Sequence, residues 1–209
     1  MWKDLSLPWQ GCFEEGWEAY CMGSLPIGAV LTDLEGHILA RGRNRIFEGE
    51  ADGQQLAGHR LAHAEMNTLL RADWKNINPK SSILYTTTEP CPLCVGAIRM
   101  MRLGEVRYAS QDPGAGSADL FQANGFLRNG NIKVVGPEVA ELEAILVALL
   151  VEMILHDNAG KVPAWIELHN QLVPGGAWLG KQLFASKQLR SWKDERLPAN
   201  VVYDRLVEY

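Results

Sequence analysis

The residues best suited to chemistry fall in two short segments. The first is His63-Ala64-Glu65. The second, Pro90-Cys91-Pro92-Leu93-Cys94, begins 25 residues after Glu65. One imidazole and two thiolates suit zinc, and three protein ligands leave the fourth tetrahedral position open to water. Cys91 and Cys94 are about one helical turn apart, so a helix carries both thiols to one point. A helix start there lowers thiol pKa and favours the metal-binding thiolate, and a proline beside the first cysteine suits such a start. His63 and Glu65 are two apart and would diverge in the middle of a helix. From the open first turn of a helix both still reach one place. Zinc is therefore expected between the N-termini of two helices, whose dipoles support anionic ligands. Glu65 stands beside it as a general acid and base.

This pair of segments resembles the H-x-E … P-C-x-x-C signature of the cytidine and deoxycytidylate deaminase superfamily. Pro26-Ile27-Gly28-Ala29-Val30, Asn44, Thr88-Glu89-Pro90-Cys91, Gly96-Ala97-Ile98 and the Asp112-Pro113 loop are similar to the branch holding bacterial tRNA adenosine deaminases and guanine deaminases. The resemblance spans roughly residues 8–157. It implies Zn2+ held by His63, Cys91 and Cys94, and proton transfer by Glu65 from water to a ring nitrogen and a leaving amine. It also implies a homodimer, and substrate contacts at Asn44, Ala64 and Asp112. Turn-forming roles remain open for Asn44 and Asp112, and Glu89 is open between supporting the site and supporting the fold.

Periodicity supplies the elements that must position these residues. Phe13, Trp17, Tyr20 and Cys21 recur at helical spacing opposite Glu14, Glu15 and Glu18. Residues 27–31 and 37–44 read as a strand hairpin about Asp33-Leu34-Glu35-Gly36. Residues 47–60 form a long polar loop, and Ala62, Met66, Leu69 and Leu70 mark a second helix. A strand over 82–87 precedes a third helix that starts near Pro90 and runs through Met101. Further strands at 105–109 and 132–135 flank a Gly/Pro-rich loop at 112–117. The strongest helix, 138–156, carries Leu142, Ile145, Leu146, Leu149 and Met153 on one side. This order predicts an α/β protein, a three-layer α/β/α fold with a five-stranded mixed sheet. Residues 1–160 are expected to form the deaminase domain, and 161–209 a helical extension packed on it and broken up by Pro163, Pro174, Gly175, Gly176 and Gly180. Trp165, Trp178 and Trp192 are expected to anchor that extension, with a lid that stacks on a planar base as the alternative.

The net charge is −5, and residues 151–209 carry seven groups of each sign. No clustered basic footprint for gripping many phosphates is present. A nucleobase, nucleoside or related aminoheterocycle is thus the expected substrate, ahead of tRNA. Arg41, Arg43 and Arg45 alternate along a strand and read as a solvated face. The longest apolar run, 144–151, falls short of the roughly 18 residues that span a bilayer, and early acids interrupt any leader. A cytoplasmic protein with no membrane segment is expected. Two rivals stand beside the small-molecule deaminase. One is a tRNA-editing adenosine deaminase; the other is a non-catalytic module with structural zinc, its fourth ligand Cys12, Cys21 or His59.

Overall fold

A computed structural model describes residues 1–50 and 53–209; Ala51 and Asp52, in the expected 47–60 loop, lie outside the described residues. The chain runs α1 (Leu7–Cys21), β1 (Gly28–Thr32), β2 (Ile38–Arg43), α2 (Ala64–Arg71), β3 (Ile83–Thr88), α3 (Pro92–Met101) and β4 (Glu105–Ser110). It continues through α4 (Gly125–Arg128), β5 (Lys133–Val135) and α5 (Ala140–Asp157) to four further helices, α6 (Ala164–Leu172), α7 (Pro174–Ser186), α8 (Gln188–Asp194) and α9 (Ala199–Val207). The five strands lie in the order β2-β1-β3-β4-β5. β1 pairs antiparallel with β2 and β3, whereas β3, β4 and β5 run parallel.

Successive side chains of a strand point to opposite faces, and β1 is buried along its whole length. Ala29 and Leu31 join Leu84 and Val106 under α2 and α3. Val30 joins Ile83 and Tyr85 under α1 and α5, with Phe13, Trp17, Leu142 and Leu149. The result is the expected three-layer fold with a mixed sheet. Sequence reading missed α4 and the 3-10 turn at Ala118–Gln122 before it. Both are too short to show a period.

The helices beyond residue 160 are part of the core. α5 is buried almost all round, from Leu142 and Leu149 on the sheet side to Val147, Val151 and Leu155 on the other. A helix apolar on every side needs a second cover, which α6 and α7 supply through Ile166 and Ala177. Leu183, Leu189, Trp192, Val202 and Tyr203 are buried in the same cluster as Phe13 and Leu149. Gly176 and Gly180 do not break the chain, as their type suggested. They stand four apart inside α7, where a Cβ would come within 2.6 Å and 2.7 Å of the Ala144 and Ala148 carbonyl oxygens. Glycine is present because the two helix backbones touch. Among the described residues no helix is long and apolar enough to cross a membrane.

Candidate metal centre

α2 and α3 cover one face of the sheet. His63 is the N-cap of α2 and Cys91 the N-cap of α3, with Pro92 at the first turn of that helix. The helix thus starts two residues later than Pro90 suggested, with a proline where its missing N–H costs no helix hydrogen bond. Cys94 lies one turn further into α3. The Cys91 Sγ is 3.5 Å from His63 Nδ1 and 3.7 Å from Cys94 Sγ, and Cys94 Sγ is 3.6 Å from His63 Nδ1. Tetrahedral zinc with bonds of ~2.3 Å to sulfur and ~2.0 Å to nitrogen sets neighbouring ligand atoms about 3.5–3.8 Å apart. The triangle therefore fits one face of a zinc tetrahedron. Cys12, Cys21 and His59 are not in the cluster, so among the described residues the triad has no fourth histidine, cysteine or carboxylate ligand.

The electrostatics favour a cation. Cys91 is pulled down to about 4, first by its hydrogen-bond contact with Cys94, with His63 adding to it. Cys94 is driven far up by the same contact and by burial. Cys94→Ser is expected to weaken zinc by more than the ~10–100-fold that loss of an outer partner costs. Zinc content after dialysis against a chelator checks this.

Glu65 lies in the first turn of α2, is 4% exposed, and accepts a hydrogen bond from the Thr86 hydroxyl at 3.3 Å. Burial raises its pKa above the ordinary carboxylate value. Thr86, fully buried on β3, went unnoticed in the sequence; one threonine in a run of three carries no signal of its own.

The other expected site residues occupy different settings. Asn44 is buried just after β2; its Oδ1 accepts from Ile46 N at 3.2 Å, while its Nδ2 has no partner among the described residues. The adjacent Arg45 N donates to the Ala62 carbonyl, which ties this turn to His63. Ala64 opens α2 with its side chain fully buried and its carbonyl taken by the Thr68 hydroxyl. Asp112 uses Oδ1 to accept from Gly114 N and Ala115 N, which is turn chemistry. Glu89 staples that loop: its carboxylate accepts from Ala118 N at 2.9 Å and Asp112 N at 3.4 Å, and Ser117 N donates to the Pro90 carbonyl. Arg41 is part-exposed as expected of a solvated face, but Arg43 and Arg45 are not. Arg43 and Arg45 both pair with buried Glu48, and Arg41 with Glu14. Of the tryptophans, Trp192 is in the core and Trp178 is on the surface.

A model of the cytidine and deoxycytidylate deaminase zinc-binding region matches residues 6–110, half of the chain and all of the metal triad. The chain belongs to this family. Its deaminase region is 34% identical over 99 residues to a tRNA-specific adenosine deaminase of Bacillus subtilis, covering 45% of this chain and 54% of that one. It is 36% identical over 95 residues to a tRNA(Ile)-lysidine synthase of Deinococcus radiodurans, covering 44% of this chain and 15% of that one. The match thus spans about half, or less, of these relatives. Among solved structures, one from a study of A-to-I editing by tRNA:A34 deaminases aligns with a TM-score of 0.51 and 29% identity, over 62% of this chain and 96% of that one. A guanine deaminase of Nitrosomonas europaea aligns with a TM-score of 0.52 and 20% identity, over 71% and 85%, which establishes the shared fold.

Proposed function

We propose that this protein is a zinc-dependent hydrolytic deaminase that replaces the exocyclic amino group of a nucleobase, nucleoside or related aminoheterocycle by oxygen and releases ammonia. The observation that carries this reading is the three-donor face of His63, Cys91 and Cys94 beside a buried carboxylate at Glu65. His63, Cys91 and Cys94 would hold zinc, which when bound would supply a water acidic enough to lose a proton near neutral pH. Glu65 then moves the protons: it takes one from the attacking water and delivers it to a ring nitrogen, and takes the second for the departing amine. Both protons of the water end on the products. Thr86 holds one carboxylate oxygen, and burial keeps bulk water from competing for the proton. The test is ammonia release across aminopurines, aminopyrimidines and their nucleosides. Release from none of them by zinc-loaded protein would overturn the small-molecule reading.

Asn44 offers its unpartnered Nδ2 to an acceptor on the ring, with Asp112 and the backbone at Ala64 as further contacts. Asn44→Ala is expected to lose one hydrogen bond to a neutral ring, about 1 kcal/mol or roughly a fivefold rise in KM. Steady-state kinetics on the best compound of the panel checks it. The second reading, a tRNA-editing adenosine deaminase, is supported by the identity to the Bacillus subtilis enzyme. The carboxylate pairing of Arg41, Arg43 and Arg45 argues for the smaller substrate. Strong, salt-dependent tRNA binding would reverse that order.

Residues 1–160 are read as the catalytic unit, which holds the metal triad, and 161–209 as an extension packed on it. A homodimer is supported by an apolar 740 Å³ groove on α2 and α3, lined by Met66, Leu70, Trp74 and Met100. Met100, 68% exposed, is a large apolar side chain in water. Met100→Glu is expected to weaken association at least about 100-fold, some 2.7 kcal/mol, read as a shift to the 23.2 kDa monomer in light scattering. The four free cysteines suit a reducing compartment, which supports a reading of the protein as cytoplasmic.

A further inference from the structure

The loop at 112–117 is held from two sides. On one side is the metal-ligand segment, through Glu89 and the Pro90 carbonyl next to Cys91. On the other side is α6, beyond the matched residues 6–110. The indole of Trp165 rests on Gly114 so closely that a Cβ there would lie 2.7 Å from its Nε1 and 2.9 Å from its Cδ1. His169, 1% exposed, stands behind it with ring centroids 4.1 Å apart and its Nδ1 3.2 Å from the Trp165 carbonyl oxygen. Ile166, next to Trp165 in the chain, is fully buried with Val147, Val151 and Leu155 of α5, and Trp165 packs against the same cluster. The ring is therefore anchored to the core.

We propose that Trp165, backed by His169, is a positioning residue that fixes the 112–117 loop beside the metal centre and so sets affinity for the substrate ring. The affinity part rests on the deaminase reading; the positioning part does not. A chain of rigid contacts runs from α5 through Ile166 and Trp165 to Gly114, and from Ser117 and Glu89 to Cys91. Without the ring, the loop keeps its internal turn bonds to Asp112 and, among the described residues, hydrogen bonds to the rest of the chain at its ends, through Glu89 and Pro90. The extension thus controls a loop that the matched region of the family does not reach.

The test uses the full-length zinc-loaded chain and its Trp165→Ala and Trp165→Phe variants. Hydrogen exchange of the amides of residues 114–117 is expected to quicken about tenfold in Trp165→Ala and to return toward wild type in Trp165→Phe, which keeps a ring on Gly114. With guanine as the probe, KM is expected to rise about tenfold in Trp165→Ala, with kcat changed less than about threefold. Gly114→Ala wedges the same contact from the loop side and is expected to shift both readouts the same way, which covers a poorly folding Trp165→Ala. Unchanged exchange in both variants overturns the proposal. Faster exchange with unchanged KM in a protein that deaminates guanine overturns it as well, since the contact is then structural only. If the wild type releases no ammonia from guanine, the choice of substrate has failed, and exchange still decides the positioning.

Discussion

Glu65→Gln is expected to abolish ammonia release, by about 10²–10⁴-fold or more, while zinc stays at one equivalent per chain. The substitution keeps the shape of the side chain and an oxygen that accepts from the Thr86 hydroxyl. It removes the one function a carboxamide lacks, which is to take up and return a proton. Zinc is retained because the triangle of His63, Cys91 and Cys94 does not include this residue. Folding does not suffer, because a neutral amide is cheaper to bury than a carboxylate at 4% exposure. Metal analysis beside single-turnover kinetics checks all three points. Turnover at the wild-type rate would remove Glu65 from the mechanism, and lost zinc would make it a ligand.

Glu152→Ala is expected to cost about 3 kcal/mol, the lower end for breaking a buried ion pair because Arg190 is one-quarter exposed. Glu152 is 1% exposed, accepts from the Tyr20 hydroxyl at 2.6 Å and pairs with Arg190 Nε at 3.3 Å. It therefore joins α1, α5 and α8 in one contact. Its removal leaves the buried Tyr20 hydroxyl and the part-buried Arg190 Nε without this acceptor, and the Arg190 Nη2 is already a buried nitrogen without a partner among the described residues. At this chain length the loss lowers Tm by roughly 6–12 °C. Thermal unfolding checks it, with Glu152→Gln as a milder companion that keeps a partner for Tyr20. A shift of a degree or less in Glu152→Ala would show that α8 is not locked to the core through this pair. The same packing means that a chain ended at residue 160 exposes Phe13, Leu149 and their neighbours, so truncation reports on folding before it reports on substrate.

What the sequence determined by itself was the chemistry and the order of elements. His63, Glu65, Cys91 and Cys94 are legible because ligand chemistry allows few residue types, and the first turn of a helix allows few spacings. The sheet was legible because apolar runs of five or six residues alternate with helical periods. Tertiary structure alone decided the rest. Thr86 meets Glu65 across 21 positions and Trp165 meets Gly114 across 51, and no local pattern encodes a contact between distant segments. Gly176 and Gly180 read as helix breakers until the backbone of α5 was seen against them, and Arg43 and Arg45 read as solvated until Glu48 folded back between them. Propensity and periodicity describe a residue's own stretch of chain. What it pairs with, and whether it is buried, depends on what the fold brings up to it.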